Sequence, residues 1–321
     1  MWSAIALWIF NAAALALYAT LAAPHVAAGS PLALWIAGGA AIYFGLVLLT
    51  CSLYFAIAWV WRSPRPPPAR IGIGASVRLF WREYLTLAGA APRMMLYDLL
   101  VRDPAPAPVD TPVLLLHGVL CNAGVWMRVT RYLRRERVTG IYSLSYGPPL
   151  ASIDGFADQV AAKVDAILTA CGARKVMIVS HSMGGLVARA YLRKYGSAKI
   201  ARVVTIGAPH HGSVHAWLFF GTSLAQLRPG NAWLDALNRE TLDPALRFVT
   251  LWSWHDSMVA PQTSSELPDA VDVALAGIGH NALLGDPAVL AFVADEIRAA
   301  RNVPGTGVSP ARPALNAASA R

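Results

Sequence analysis

Charge is missing from the start of this chain: no Asp, Glu, Lys or Arg precedes Arg62 in a sequence of 321 residues. Residues 2–23 and 32–61 are apolar throughout, broken only around "PHVAAGSP" at 24–31. Neither run has a polar stripe to face water, which argues against two ordinary soluble helices. Each is long enough to cross a hydrocarbon core of ~30 Å. The basic leader of a cleaved signal peptide is also lacking and the apolar core is too long for one, so the first helix is expected to be retained.

Cysteine is scarce too. Cys51, Cys121 and Cys171 have no metal-type spacing and form no even set, which fits reduced thiols rather than a disulfide framework. No metal or cofactor is expected. Internal repeats and nucleic-acid motifs are absent, although the net charge is +9. No Lys or Arg separates the two apolar runs. Arg62, Arg65, Arg70, Arg78, Arg82, Arg93 and Arg102 follow them, against only Glu83, Asp98 and Asp103. The positive-inside rule then makes the runs a hairpin in a bacterial inner membrane, with everything after residue 61 cytoplasmic. Anionic head groups explain the arginines better than nucleic acid does.

What is present after residue 61 reads in blocks. "RSPRPPPAR" at 62–70 is a stiff linker. Residues 76–101 mix aromatic and aliphatic side chains with arginine, as one or two amphipathic helices lying on the bilayer or packed on the next domain. "RDPAPAPVDTP" closes this juxtamembrane segment at 110, a folded domain is expected over 111–301, and a disordered tail over 302–321. Short apolar runs at 112–117, 140–146, 175–180, 200–206, 246–252 and 270–276 predict strands. Helical patterns lie at 125–135, 153–170, 183–195 and 286–300. The alternation predicts an α/β fold with a mostly parallel sheet flanked by helices. Residues 211–245, rich in aromatics, Gly, Pro and Asn, break the rhythm as an insertion over the sheet.

Four features within the folded domain carry chemistry. "VSHSMGGL" places Ser182 at a strand-to-helix junction, where a strained turn would display its hydroxyl. The turn needs small flanking residues; Gly184 supplies one, and Ser180 stands where Gly-x-Ser-x-Gly has its first glycine. "LLLHGVLCNAGVW" ends the first strand with His117 and Gly118, a loop suited to an oxyanion hole. Val119 is the expected backbone donor there, with Leu120 as the alternative, and Met183 is the expected second donor. His117 is read as a brace for that loop. Asp256 follows a strand in "VTLWSWHDSMVAP", either as the acid that orients a base or as a turn aspartate. His280, in "LAGIGHNALLGDP", is the expected base, with Gly279 letting its loop approach. His181 is expected to point away from Ser182, His255 to be too close in sequence to Asp256 to pair with it, and His210 and His211 to shape the pocket wall or pair with the loop that carries Asp256. The order oxyanion loop, Ser182, Asp256, His280 is the order an α/β-hydrolase sheet requires.

With "VVTIGAPHHGS", "HDSMVAP" and "GIGHNALL", these blocks resemble those of bacterial triacylglycerol lipases and of GPI inositol-deacylase-like hydrolases, over about residues 111–300. The resemblance implies an α/β-hydrolase fold, Ser182 as nucleophile, Asp256 as acid, His280 as base, and Val119 and Met183 as oxyanion donors. It also implies a lid after "GAPHHGS", at about 212–240. The activity implied is hydrolysis of carboxylic esters, with lipid or long-chain esters plausible for a membrane-anchored enzyme. Acyl transfer through the same triad, or a non-catalytic scaffold, are the alternatives. Oligomeric state is not legible.

Overall fold

The computed structural model describes residues 2–301; the tail expected at 302–321 lies outside them. Two long helices open the chain, α1 (Trp2–Ala27) and α2 (Leu32–Val60). Both are long and apolar enough to cross a membrane, and few of their side chains are buried. At 1.5 Å per residue each spans roughly 40 Å. Tyr18 Oη donates to Trp35 O at 2.7 Å and His25 stacks on Trp35 near the turn that joins the two helices.

The opposite ends of the hairpin touch the rest of the molecule. Ser3 Oγ donates to Cys121 O at 2.9 Å, and His215 Nε2 donates to Tyr54 O at 3.2 Å. The proline-rich stretch is more than a spacer. Ser63 is buried; its N–H donates to Gln262 Oε1 at 2.9 Å and its hydroxyl accepts from Thr263 N at 3.0 Å. Three helices follow, α3 (Ile73–Ala88), α4 (Ala90–Met95) and α5 (Tyr97–Leu100). α3 packs Leu79, Glu83 and Thr86 inward on the folded domain and leaves Ile73, Val77, Trp81 and Leu85 exposed on its other side. Arg65 and Arg82 bond to Trp254 O and Asp286 of the folded domain, while Arg93 bonds to Thr86 O within the segment itself.

The domain beyond is a six-stranded parallel sheet in the order β2-β1-β3-β4-β5-β6. The strands are β1 (Val113–Leu116), β2 (Ile141–Leu144), β3 (Val176–His181), β4 (Ile200–Ile206), β5 (Arg247–Ser253) and β6 (Val271–Leu275). The helices are α6 (Met127–Arg135), α7 (Ile153–Cys171), α8 (Gly184–Tyr195), α9 (Thr222–Gln226), α10 (Ala232–Asn238) and α11 (Pro287–Arg301). Successive residues of a strand face opposite sides, so Leu114 and Leu116 pack with α7 and α8 while Val113 and Leu115 pack with α6 and α11. Burial on both faces is why β1 reads as an unbroken apolar run. α7 begins at Ser152, whose Oγ accepts from Asp154 N, and ends at left-handed Gly172.

The insertion contains a 3-10 turn (Val214–Leu218), α9 and α10, and no strand. Its tip exposes Trp217, Leu218, Phe219 and Phe220. In register, Leu116 lies beside Ser180, Ser180 beside Thr205, and Ile206 beside Leu251. The carboxyl ends of β1, β3, β4 and β5 therefore finish together, where ligands bind in open α/β sheets.

Candidate active site

Ser182 leaves β3 with φ 57, left-handed backbone that a non-glycine residue adopts rarely and chiefly at functional sites. Its N–H donates to Ile206 O at 2.9 Å, and Gly185 N donates to Ser182 O at 3.0 Å, which ties the turn to β4 and opens α8. A Cβ on Gly184 would stand 2.5 Å from Leu116 O and 2.7 Å from His117 O. Crowding at the turn thus comes from β1 and not from Ser180. The extra hydroxymethyl of Ser180 instead fits inside the sheet, its Oγ 3.4 Å from Val204 O.

The His117-Gly118 loop passes directly over the serine. A Cβ on Gly118 would lie 2.9 Å from Ser182 Cβ and 3.3 Å from its Oγ, so only glycine lets this loop come so close. His117 Nδ1 donates to Gly118 O at 2.8 Å, Tyr146 Oη donates to His117 O, and the two rings stack at 4.0 Å. Burial holds His117 neutral, with its pKa lowered to about 4. Val119, Leu120 and Met183 N–H make no hydrogen bond among the described residues. Leu120 has φ 56, a second strained residue beside the serine.

Asp256 and His280 sit on the loops after β5 and β6. His280 Nδ1 donates to Asp256 Oδ2 at 2.8 Å, and both side chains are buried. Asp256 Oδ1 accepts from Met258 N at 2.8 Å and Val259 N at 2.7 Å. The two readings of this aspartate are therefore compatible: one oxygen holds the turn and the other holds the imidazole. No hydrogen bond joins Ser182 Oγ to His280 among the described residues; those of His280 run to Asp256, Ser257 and His181.

Electrostatics separates His280 from the other histidines of this half. Burial lowers the pKa of His117, His181, His210, His211, His215 and His255. Burial opposes protonation of His280 as well, yet the Asp256 carboxylate and, more weakly, Glu83 outweigh it and raise this imidazole above its ordinary value.

The remaining sequence-predicted residues divide. His181 packs its ring 4.6 Å from that of His280, and its Nε2 donates to His280 O at 3.2 Å. It supports the base loop. His210 is fully buried, bonded to Thr205 Oγ1 at 3.1 Å, and lines no accessible surface, so it is no part of a pocket wall. His211 N donates to Ser264 O at 2.9 Å, which fastens the start of the insertion beyond the acid loop. His255 Nδ1 accepts from Gly277 N at 3.0 Å and does not pair with Asp256.

Several residues around the site escaped the sequence reading. Ser63 acts through Gln262, whose Nε2 donates to Asp256 O at 3.1 Å. Ser213 Oγ donates to Met258 O at 2.8 Å and joins the insertion to the acid loop. Glu83 contacts both the acid and the base loops. One signal for it was present: Glu83 falls at helical spacing with Leu79 and Thr86 on the buried face of α3, where a charged side chain is unusual.

Comparison with known proteins bears on the fold that carries these residues. A family described as alpha/beta hydrolase fold matches residues 111–284. A triacylglycerol lipase of Burkholderia plantarii is 34% identical over 151 residues, covering 41% of this chain and 39% of that protein. A triacylglycerol lipase of Pseudarthrobacter phenanthrenivorans is 36% identical over 118 residues, covering 33% of this chain and 35% of that protein. The chain thus spans well under half the length of these curated relatives. Among solved structures, Aspergillus fumigatus lipase B matches with TM-score 0.55 at 20% identity, covering 64% of this chain and 57% of that one. A Bacillus licheniformis lipase in mature form matches with TM-score 0.52 at 20% identity, over 60% and 94% of the two chains. At such identity the structural likeness is one of fold.

Proposed function

The chain belongs to the alpha/beta hydrolase fold family, and from that premise we propose that it is a membrane-anchored serine hydrolase of carboxylic esters. The observation that carries the reading is the buried His280–Asp256 pair, 2.8 Å apart, at the sheet edge where Ser182 holds a strained turn. His280 Nε2 takes the proton of Ser182 Oγ as the oxygen attacks the ester carbonyl. The tetrahedral oxyanion is received by the Val119 and Met183 N–H groups. Collapse breaks the ester bond, the imidazolium returns its proton to the leaving alcohol, and the acyl-enzyme remains. Water, deprotonated by His280, then releases the acid and restores Ser182.

Lipid or long-chain acyl esters are the proposed substrates. The triacylglycerol lipase relatives support that class, as does the contact of α1 and α2 with the oxyanion loop and the insertion. α1 and α2 are proposed to cross a bacterial inner membrane as a hairpin, with the arginines that follow holding the catalytic domain on the cytoplasmic side. The insertion is proposed as the lid.

A fluorophosphonate probe tests the nucleophile: wild type should be labelled and Ser182→Ala should not. Equal labelling of the two would sink the assignment. Turnover of p-nitrophenyl esters of increasing chain length tests the substrate class, and activity confined to short acyl groups would remove the lipid reading. A reporter fused after residue 321 that works only in the periplasm would reverse the orientation.

A further inference from the structure

Glu83 lies on α3, outside the residues matched to the hydrolase family, and is 2% exposed. A buried carboxylate is costly unless it is paired or fully hydrogen-bonded. No salt bridge reaches Glu83 among the described residues. Four donors do. Oε1 accepts from Ser257 Oγ at 3.0 Å, Asn281 N at 2.9 Å and Asn281 Nδ2 at 2.8 Å, and Oε2 accepts from Ala282 N at 2.9 Å. Every partner donates, which is the set an ionised carboxylate takes.

The position of these donors is the informative part. Ser257 follows Asp256 directly, and Asn281 and Ala282 follow His280. Ser257 Oγ also accepts from His280 N at 3.4 Å. One side chain from the helix after the apolar hairpin therefore spans the acid loop and the base loop. The chain has made room for it: a Cβ on Gly279 would stand 2.5 Å from Glu83 Oε2. The glycine before the base thus admits Glu83; that is what lets the base loop settle.

We infer that Glu83 is a positioning residue of the catalytic triad, locking the acid loop to the base loop so that His280 is held against Asp256 only while α3 is docked. The inference rests on the reading of Asp256 and His280 as acid and base. Four titratable groups face His280: Asp256 from the acid loop, Glu83 from α3, His181 from the end of β3 and His215 from the insertion. Burial lowers the pKa of the two histidines. Asp256 and Glu83 are then the charges that favour imidazolium.

The test uses the full chain in detergent, with p-nitrophenyl butyrate as substrate. A misplacement of about 1 Å costs on the order of 10²-fold, so Glu83→Gln is expected to lower kcat by roughly 10- to 100-fold with KM changed by less than about twofold. The acid limb of kcat/KM should also move to lower pH, because a charge that favours imidazolium is gone. Glu83→Asp keeps the charge with a shorter reach; it should return the limb toward wild type while kcat stays reduced. Arg78→Ala alters an exposed residue of α3 and should leave both quantities unchanged. If Glu83→Gln does not fold, Ser257→Ala decides, since it removes one link while retaining Glu83; a several-fold fall in kcat is expected, and a wild-type value overturns the proposal. Wild-type kcat and an unmoved limb in folded Glu83→Gln also overturn it, whatever happens to its melting temperature. Ser182→Ala, run alongside, separates the two readings: if it stays active the triad itself is wrong, and if it is dead while Glu83→Gln is normal only the role of Glu83 falls.

Discussion

The two halves of the molecule bury carboxylates in different company. On α11 of the hydrolase domain, Glu296 is 3% exposed and lies between Arg202 and Arg247, the latter bonding both carboxylate oxygens. On α3 of the preceding segment, Glu83 is equally buried and has only neutral donors. Glu296 joins strands β4 and β5 to the last helix, far in the fold from the loops that carry Asp256 and His280. Glu83 joins those loops to each other. An ion-paired acid behind the sheet serves stability, and an acid clasped by two catalytic loops serves geometry. On the proposed reading the difference also marks a functional boundary: the hydrolase domain holds the proposed reacting groups, and the N-terminal segment holds part of what would align them.

The largest effects belong to the reacting groups and set the scale for that contrast. Ser182→Ala should abolish ester hydrolysis in a chromogenic assay, by about 10³-fold or more. Asp256→Asn should cost about 10³- to 10⁴-fold in kcat, because an amide N–H facing His280 Nδ1 enforces the wrong tautomer. The turn itself should survive, since Asn keeps an acceptor for Met258 N and Val259 N. Circular dichroism should match wild type. A loss of only a few-fold would mean that Asp256 is a turn residue and would remove the chemistry from the hydrolase half.

Glu296→Ala is the counterpart and should separate stability from rate. It leaves Arg202 buried without its partner, a loss of about 3 kcal/mol, toward the lower end because Arg247 is partly exposed. For a domain of this size that is a fall in melting temperature of roughly 6–12 °C. The kcat of the folded enzyme should not change. Burial raises the pKa of Glu296, but the hydrogen bond from Arg247 and the charge of Arg202 outweigh it and hold the carboxyl below its ordinary range. Its contribution is therefore complete above the usual glutamate pKa of about 4.3 and fades as pH falls through the lowered value. Loss of kcat in Glu296→Ala would erase the distinction from Glu83.

The same division decides what the sequence made legible. Residues 111–301 could be read because their signals are local: apolar runs bounded by turns, a serine before a glycine pair, a His-Gly after the first strand. All six predicted strands exist within a residue or two of the expected bounds. The hairpin was legible for the same reason, as two uninterrupted apolar runs. The connection between the halves was not. Ser63 meets Gln262 and Thr263 across about 200 positions, and Glu83 meets Asn281 across 198. No periodicity or spacing reports a contact of that kind. "RSPRPPPAR" reads as a spacer because proline suits one, yet Ser63 within it is buried against the acid loop. His210 misled in the opposite direction, its place in "GAPHHGS" implying a pocket wall where the fold buries it beneath α8. Gly279 reads in the sequence as the residue that lets the base loop approach the site, whereas the space its missing Cβ leaves is taken by Glu83 from another segment.

The smallest expected effect concerns an exposed apolar surface on the insertion, close to where it touches α2. Trp217, Leu218, Phe219 and Phe220 form an exposed apolar tip on the insertion, with Phe220 89% exposed. The root of that tip is fastened to the hairpin: His215 donates to Tyr54 O, and the two rings meet edge to face at 5.7 Å. Tyr54 lies near the end of α2 that adjoins Arg62, so the tip sits beside the end of an apolar helix. If α2 spans a bilayer, the tip rests at its surface, and each large apolar side chain immersed there contributes about 1–3 kcal/mol. With the hairpin as the proposed anchor, this contribution should act on access to substrate, not on binding to the membrane. Phe220→Asp is then expected to slow hydrolysis of a long-chain ester presented in vesicles by roughly three- to tenfold, while a dissolved short-chain ester turns over at the wild-type rate. Equal slowing of both esters would place Phe220 in the catalytic geometry instead. No slowing of either would mean that the tip does not meet the lipid, and that the N-terminal half acts on the reaction through polar contacts such as those of Glu83 and Ser63.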